Sequence, residues 1–97
     1  MSVYWILDND ITNQEDYNRY KKKSPFFVTK HGGEFCVRGG KIDIIEGEWN
    51  PKRLVMIKFP SKKAYEDFIK DPEYRTWKEL RENSSKTNNI LLLEGVI

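Results

Sequence analysis

The sequence predicts an α+β domain of the ferredoxin-like βαββαβ order, in which two helices cover one face of a four-stranded antiparallel sheet. Two observations lead to this prediction. Short runs of β-branched and aromatic residues alternate with stretches whose apolar residues recur at every third or fourth position. With 97 residues, 38% of them hydrophobic and 33% charged, the chain can bury one small core and has no room for a second domain. We therefore expect a single domain over residues 1–97.

The first strand and the first helix are predicted from the residues before Gly32. Val3 to Leu7 is β-branched and aromatic and ends at an Asp-Asn-Asp turn signal, which is typical of a strand. Thr12 stands three residues before Glu15, and this capping-box spacing predicts a helix start. Pro25 predicts a kink or a restart within that helix, and Gly32 fits a left-handed cap at its end.

The central segment predicts two strands around a pair of glycines. Glu34 to Arg38 alternates, Gly39-Gly40 permits a bulge, and Ile42 to Ile45 resumes extended structure, so we predict one long, bent strand. Arg53 to Phe59 is predicted as the third strand, which Pro60 ends because proline has no N–H to donate to the ladder.

The last third of the sequence predicts two helical segments and a final strand. Ser61 is a predicted N-cap, and Asp71-Pro72 has the form of an N-cap and first-turn proline that open a second segment. Asn83 to Asn89 is rich in turn-forming residues and predicts a loop. Ile90 to Leu93 is apolar on both faces and predicts the fourth strand.

The predicted central strands are apolar on both faces. Because the helices cover only one face of the sheet, the other face would expose a contiguous apolar surface, which normally marks a partner interface. We therefore predict a homodimer in which two sheets pack face to face.

Charge and composition disfavour several functional classes. Seventeen Lys and Arg residues against fifteen Asp and Glu give a net charge of +2, which argues against a dedicated nucleic-acid binder. Cys36 is the single cysteine, so no intrachain disulfide can form, and no local spacing supports a metal site. No run approaches the roughly 20 apolar residues of a membrane helix. Met1 to Leu7 is short and is followed at once by Asp8 and Asp10, so we expect no signal peptide. We expect a cytoplasmic protein without metal, cofactor or membrane partner.

Several short motifs occur together along nearly the whole chain: the early Tyr-Trp pair, Tyr17, Tyr20, His31-Gly32-Gly33, Arg38-Gly39-Gly40, Glu46-Gly47, Pro51, Arg53, Phe59-Pro60-Ser61, Pro72-Glu73-Tyr74, Arg81 and Glu94-Gly95. In this combination the sequence resembles the DUF1330 family of unknown function. The resemblance implies ferredoxin-like protomers whose sheets pair into a dimeric α+β barrel around a cavity, and it implies no established reaction. Lys58 stands where the family commonly has an acidic residue, so a carboxylate–arginine pair does not carry over directly.

Three residues are candidates for proton transfer. His31 is the only histidine, and its ordinary pKa near 6.5 suits proton transfer at neutral pH. At a helix end beside Gly32 it could equally cap free carbonyls, and the sequence leaves both interpretations open. Tyr17 and Tyr74 are the other candidates. No nucleophile-elbow motif accompanies them, which disfavours a hydrolase.

The candidates for ligand contact are mostly charged. Arg38 is predicted on the same strand face as Glu34 and Cys36, where it would either bind an anionic ligand or pair with Glu46. The remaining candidates are Lys58, Arg81 and Trp49; Trp49 is either a cavity wall or part of the dimer interface.

Two functions remain open from the sequence. The first is a small-molecule-binding protein or cofactor-independent enzyme whose barrel cavity takes a small apolar compound with a carboxylate or carbonyl group. The second is a non-catalytic dimeric structural or protein-interaction module. An open cavity lined by His31, Arg38 and Tyr74 would favour the first, and a filled barrel with internally paired charges would favour the second.

Overall fold

The computed structural model describes all 97 residues. Its elements in chain order are β1 Val3–Ile11, α1 Gln14–Lys30, β2 Glu34–Arg38, β3 Leu54–Phe59, α2 Lys62–Lys70, α3 Arg75–Asn83 and β4 Ser85–Glu94. The four strands form one antiparallel sheet in the order β2-β3-β1-β4. The segments α2 and α3 together take the place of the second helix, so the predicted ferredoxin-like order is confirmed.

The core lies between the helices and the two central strands. Alternate residues of β1 and β3 face the helices, and these side chains are 5% exposed or less: Val3, Trp5, Leu7, Val55, Ile57 and Phe59. They pack against a largely aromatic set from the helices and their connections: Tyr17, Tyr20, Phe27, Val28, Phe68 and Tyr74. Period-two alternation on the strands therefore meets the apolar stripe of α1, as the sequence predicts.

The start of α1 differs from the prediction by one residue. Asn13 is the N-cap, because its side-chain oxygen accepts a hydrogen bond from the Asp16 N–H at 3.1 Å. The N–H groups of Thr12 and Asn13 both donate to the Ser84 carbonyl at 3.0 Å, which holds Thr12 outside the helix. The predicted capping box of Thr12 and Glu15 is therefore wrong.

The helix α1 is continuous through Pro25 and ends at a glycine cap. Because it runs through Pro25 unbroken, the predicted restart at that residue is wrong. Gly32 follows the helix with a φ of +77°, and its N–H donates to the Thr29 carbonyl at 3.0 Å. The left-handed glycine cap is confirmed.

The strand β2 is shorter and more irregular than predicted. It ends at Arg38, and residues 39–53 contain no regular secondary structure, so the predicted long, bent strand is wrong. Within β2, Phe35 pairs with Ile57 and Val37 with Met56, which leaves Cys36 as an extra residue, a β-bulge. The bulge turns Arg38 toward the helices, beside Phe35, and the predicted face shared with Glu34 is wrong.

The strand β4 begins earlier than predicted. Residues Ser85–Glu94 pair with β1, with Ile11 opposite Ser85 and an irregularity at Asp8 and Asn9. The predicted loop over Asn83 to Asn89 is therefore wrong from Ser85 onward. Backbone pairing with β1 satisfies the N–H and C=O groups of this polar segment, which outweighs its low strand propensity.

The face of the sheet opposite the helices is open to solvent. Its side chains are half-buried or exposed and mostly apolar: Tyr4, Ile6, Val37, Leu54, Met56, Leu91 and Leu93. None of the three helices combines the length and the apolar composition that crossing a bilayer requires.

Candidate functional site

A cleft opens between α1 and the β2–β3 side of the sheet. Its wall is apolar on one side, formed by Trp5, Leu7, Phe35, Val55 and Ile57, and polar on the other, formed by Tyr17, Tyr20, Lys21, Ser24, Arg38 and Arg53. The atom-free space including the mouth is about 260 Å³, and the interior of about 10 Å³ has room for about one water molecule. The cleft therefore lies within one protomer, on the helix side of the sheet.

Arg53 enters the cleft just before β3. Its Nη1 donates to the Tyr17 hydroxyl at 2.8 Å and to the Asn9 side-chain oxygen at 3.4 Å. Its guanidinium carbon lies 4.9 Å from the centre of the Tyr17 ring. Gly39 makes room for this side chain, because a Cβ on that residue would lie 2.7 Å from the Arg53 Nε.

The Tyr17 hydroxyl is left with a free proton. Its oxygen accepts from Arg53 at 2.8 Å and from the Asn9 side-chain amide at 3.0 Å. A hydroxyl oxygen has two acceptor lone pairs and one donor, so both acceptor positions are filled. Tyr17 can therefore act toward a ligand only as a hydrogen-bond donor.

Arg38 lies at the mouth of the cleft and is held from α1. Its Nη2 donates to the Lys21 carbonyl and, at 3.2 Å, to the Ser24 hydroxyl. The Lys21 carbonyl is available because Pro25, four residues later, has no N–H to donate to it. The guanidinium carbon also lies 4.6 Å from the centre of the Phe35 ring.

The two guanidinium groups have no acidic partner. The ion pairs of the protein join other residues, and neither Arg38 nor Arg53 contacts a carboxylate. Burial and the neighbouring Arg53 lower the pKa of Arg38. An arginine stays charged in proteins, so the cleft carries an unbalanced positive charge against an apolar wall.

Tyr74 reaches the cleft only through Tyr20. The two hydroxyl oxygens lie 2.6 Å apart, and Tyr20 lines the cleft while Tyr74 stands behind it. Burial raises the pKa of Tyr20 well above its ordinary value, and burial also raises the pKa of Tyr74. Both hydroxyls are therefore neutral near pH 7.

His31 lies away from the cleft, at the C-terminal end of α1. Its Nε2 is 2.8 Å from a carboxylate oxygen of Asp71, and the Lys30 ammonium is 2.8 Å from the same oxygen. Hydrogen bonds from Lys30 and His31 hold the pKa of the Asp71 carboxyl far below its usual range. This cluster joins the end of α1 to the turn before α3.

Four other predicted contact residues also lie outside the cleft. Glu46 is exposed in the loop and forms no ion pair, and Trp49 donates its Nε1 to an Asp8 carboxylate oxygen at 3.4 Å. Lys58 is half-buried on the open face of the sheet, and Arg81 is fully buried behind Trp5. The predicted alternative in which Glu46 pairs with Arg38 is not formed.

Of the predicted site residues, the structure thus brings Tyr17 and Arg38 together in the cleft, with Tyr74 one hydrogen bond behind. The site prediction missed Asn9, Tyr20, Ser24 and Arg53. A signal for Arg53 was present, because it shares strand parity with the inward-facing Val55 and Ile57. Nowhere in the chain do three His, Cys, Asp or Glu side chains come together as a metal site would require.

Comparison with solved structures shows the same fold in other proteins. A protein of unknown function from Rhodopseudomonas palustris superposes with a TM-score of 0.79 at 16% identity, covering 99% of this chain and 83% of that one. SnoaB, a cofactor-independent oxygenase from Streptomyces nogalater, superposes with a TM-score of 0.67 at 9% identity, covering 99% of this chain and 94% of SnoaB. The de novo designed protein Foldit4 superposes with a TM-score of 0.61 at 17% identity, covering 98% of this chain and 99% of Foldit4. At these identities the likeness establishes the fold alone.

Sequence comparison identifies a family. No curated protein matches the chain. The family described as "Domain of unknown function (DUF1330)" matches residues 2–96, nearly the whole chain. The chain therefore belongs to the DUF1330 family.

Proposed function

We propose that this protein binds a small apolar compound bearing a carboxylate in the cleft between α1 and the sheet. One observation carries the proposal: Arg38 and Arg53 share an apolar cleft in which neither has an acidic partner. Arg53 is only partly exposed, so its unbalanced charge is incompletely hydrated, and an anion that also buries apolar surface would offset that cost.

The hydrogen bonds within the site support a carboxylate as the bound group. Each guanidinium has five N–H donors, and Arg38 and Arg53 each use a single nitrogen for contacts within the protein. The unused donors can form paired hydrogen bonds to a carboxylate, the geometry for which arginine is well suited. The free proton of Tyr17 supplies a further donor. The site thus presents several free hydrogen-bond donors to a carboxylate oxygen.

The cleft is nearly closed, so ligand entry requires a side chain to move. Arg38 is the exposed residue at the mouth, and its rotation away from α1 would open the space between Phe35 and the helix. The exchange would replace the Lys21 carbonyl by a charged carboxylate as the acceptor for Arg38. Hydrogen bonds between ionised groups are stronger than those to a neutral carbonyl, which favours the exchange.

The proposal is one of binding. A cofactor-independent oxygenase with this fold supports a small-molecule site. No histidine or carboxylate lines the cleft, and a reaction there would depend on an anionic form of the ligand, which the guanidinium groups would stabilise. Proton-transfer roles for His31 and Tyr74 stay predictions from the sequence.

Isothermal titration calorimetry with matched acids and amides tests the proposal. We expect benzoate, phenylacetate and longer aryl carboxylates to bind and their neutral amides not to bind. Arg38→Gln and Arg53→Gln should each weaken carboxylate binding by roughly tenfold or more, because each removes a charged donor pair. Arg19→Gln is the control, since Arg19 is exposed on α1 and pairs with Asp16. Equal affinity for acids and amides, or equal loss in the control, would refute the proposal.

The open face of the sheet favours a second candidate function, a dimeric module. Leu91, Leu93 and Val37 are 49%, 48% and 41% exposed there, although each belongs to a regular strand. We propose that a second copy of the chain covers this face, as the sequence predicts, and that Trp49 contributes to the interface. A dimer that binds no carboxylate would favour the non-catalytic structural or protein-interaction role.

A further inference from the structure

Arg81 is a buried cation without a counter-charge. It lies on α3 with 1% of its surface exposed, and no carboxylate of the protein pairs with it. Its Nε and Nη1 atoms have no acceptor in hydrogen-bonding geometry, and neither has the indole Nε1 of Trp5, although the hydroxyls of Tyr74 and Tyr65 lie near these two side chains. The guanidinium carbon lies 5.8 Å from the centre of the Trp5 ring, so these three unused donors belong to adjacent side chains.

The groups around Arg81 cannot balance its charge. Three tyrosines contribute to its electrostatic surroundings, and burial raises the pKa of each of them: Tyr20, Tyr65 and Tyr74. They are therefore neutral hydroxyls near pH 7. An unpaired buried guanidinium with two unused donors is strongly unfavourable, which indicates that another species completes the site.

We propose that a monatomic anion of the chloride type binds between the Arg81 guanidinium and the Trp5 indole N–H. A water molecule could accept hydrogen bonds there but would leave the charge unbalanced. Arg81 lines neither the carboxylate cleft nor any of four other surface pockets of the protein, so no opening large enough for an organic acid leads to it. The anion site is separate from the carboxylate cleft and does not depend on the proposed function.

The anion site lies behind the wall of the cleft. Trp5 lines the cleft, and Arg81 stands against the same indole. A bound anion would fix both the Trp5 side chain and α3, and it would stabilise the folded protein in proportion to its free concentration.

Thermal unfolding in different salts tests the inference. Sodium chloride replaces sodium gluconate at constant ionic strength, and gluconate is too large for the site. We expect a saturable rise in Tm, about 5 to 10 °C at ten times the dissociation constant, for a domain of this size. Arg81→Met should abolish the rise, and Arg38→Gln should retain it. Arg75→Met is the matched control, because Arg75 lies exposed on the same helix beside Glu79. The same Tm in both salts would overturn the inference.

A second measurement does not rely on a variant of a buried residue. Crystals of the unaltered protein soaked in bromide should show an anomalous peak within hydrogen-bonding distance of Arg81 and the Trp5 Nε1. A peak only beside Arg38 and Arg53 would assign the anion effect to the cleft and overturn the inference. Absence of any peak next to Arg81 at saturating bromide would do the same.

Discussion

Pro25 lies in the interior of α1, and it cannot donate to the carbonyl of Lys21 one turn earlier. A proline in this position normally weakens a helix by about 3 kcal/mol relative to alanine. Here the released carbonyl accepts from Arg38 instead, and the Ser24 hydroxyl is a second acceptor for the same nitrogen. Pro25, although unfavourable for the helix, thus leaves the Lys21 carbonyl free to accept a hydrogen bond from Arg38.

We expect Pro25→Ala to stabilise the fold and weaken the site. The new N–H would compete with Arg38 for the Lys21 carbonyl, and the free energy of unfolding should rise by roughly 1 to 3 kcal/mol. Carboxylate affinity should fall because Arg38 is less well positioned. Denaturant unfolding and calorimetry measure the two effects separately. Lys22→Ala, on the exposed side of the same turn, should change neither by much. A Pro25→Ala protein with lower stability would contradict the prediction.

The Asp71 carboxylate organises a second polar cluster. One oxygen accepts from Lys30 and lies 2.8 Å from His31, and the other accepts from the Glu73 N–H at 2.9 Å. The side chain is 4% exposed, whereas that of Lys30 is 40% exposed, so solvent weakens the ion pair. The cluster links the end of α1 to the chain that leads into α3.

This cluster predicts a loss of stability in acid. The folded pKa of Asp71 is far below the unfolded value of about 3.9, so its contribution is full above pH 5 and decreases as the pH falls through 4 toward 2. Asp71→Asn keeps an oxygen for the Glu73 N–H and removes the charge. The free energy of unfolding should therefore fall by about 1 to 2 kcal/mol at pH 7 and should depend less on pH below 5. Urea unfolding between pH 7 and 2 measures this. Asp67→Asn, in an exposed pair with Lys63, is the control and should change stability little.

At the scale of elements, the bulge at Cys36 decides where Arg38 points. Regular alternation would place Arg38 on the face opposite Phe35, and the extra residue in β2 brings both to the helix side. The sequence EFCVR reads as an unbroken strand, and nothing in it marks the bulge. Sequence alone could therefore predict that Arg38 is important, but not which side of the sheet it occupies.

The elements predicted correctly are those with strong local signals. The start of β1, the Ser61 cap and the Gly32 cap were identified because short local patterns account for them. The predicted turn at Asp8-Asn9-Asp10 is wrong, because β1 continues to Ile11 by pairing with β4. The start of β4 was missed because its polar residues are held in a strand by pairing with β1, a non-local interaction. The same limit explains the missed contact between Arg53 and Asn9, which are 44 positions apart.

At the scale of the whole molecule, the two faces of the sheet have different roles. The core, the cleft and the buried Arg81 lie between the sheet and the helices, whereas the open face carries apolar side chains that are exposed to solvent. The protomer measures 36 × 34 × 17 Å, so it is flat, and its broad side is comparable in size to the ~800 Å² per partner that a stable interface typically buries. A second copy can cover that face without approaching the cleft from the helix side.

We expect Leu91→Lys to convert a dimer into a folded monomer. Leu91 is 49% exposed opposite Ile6, so the substitution should leave the protomer intact while placing an unpaired charge in the apolar interface. Light scattering at micromolar concentration should show a dimer for the unaltered chain and a monomer for the variant, with at least a tenfold higher dissociation constant. Phe26→Lys is the control, since Phe26 is 63% exposed on α1, and it should remain dimeric. A monomeric unaltered chain would contradict the prediction, as would a variant that stays dimeric.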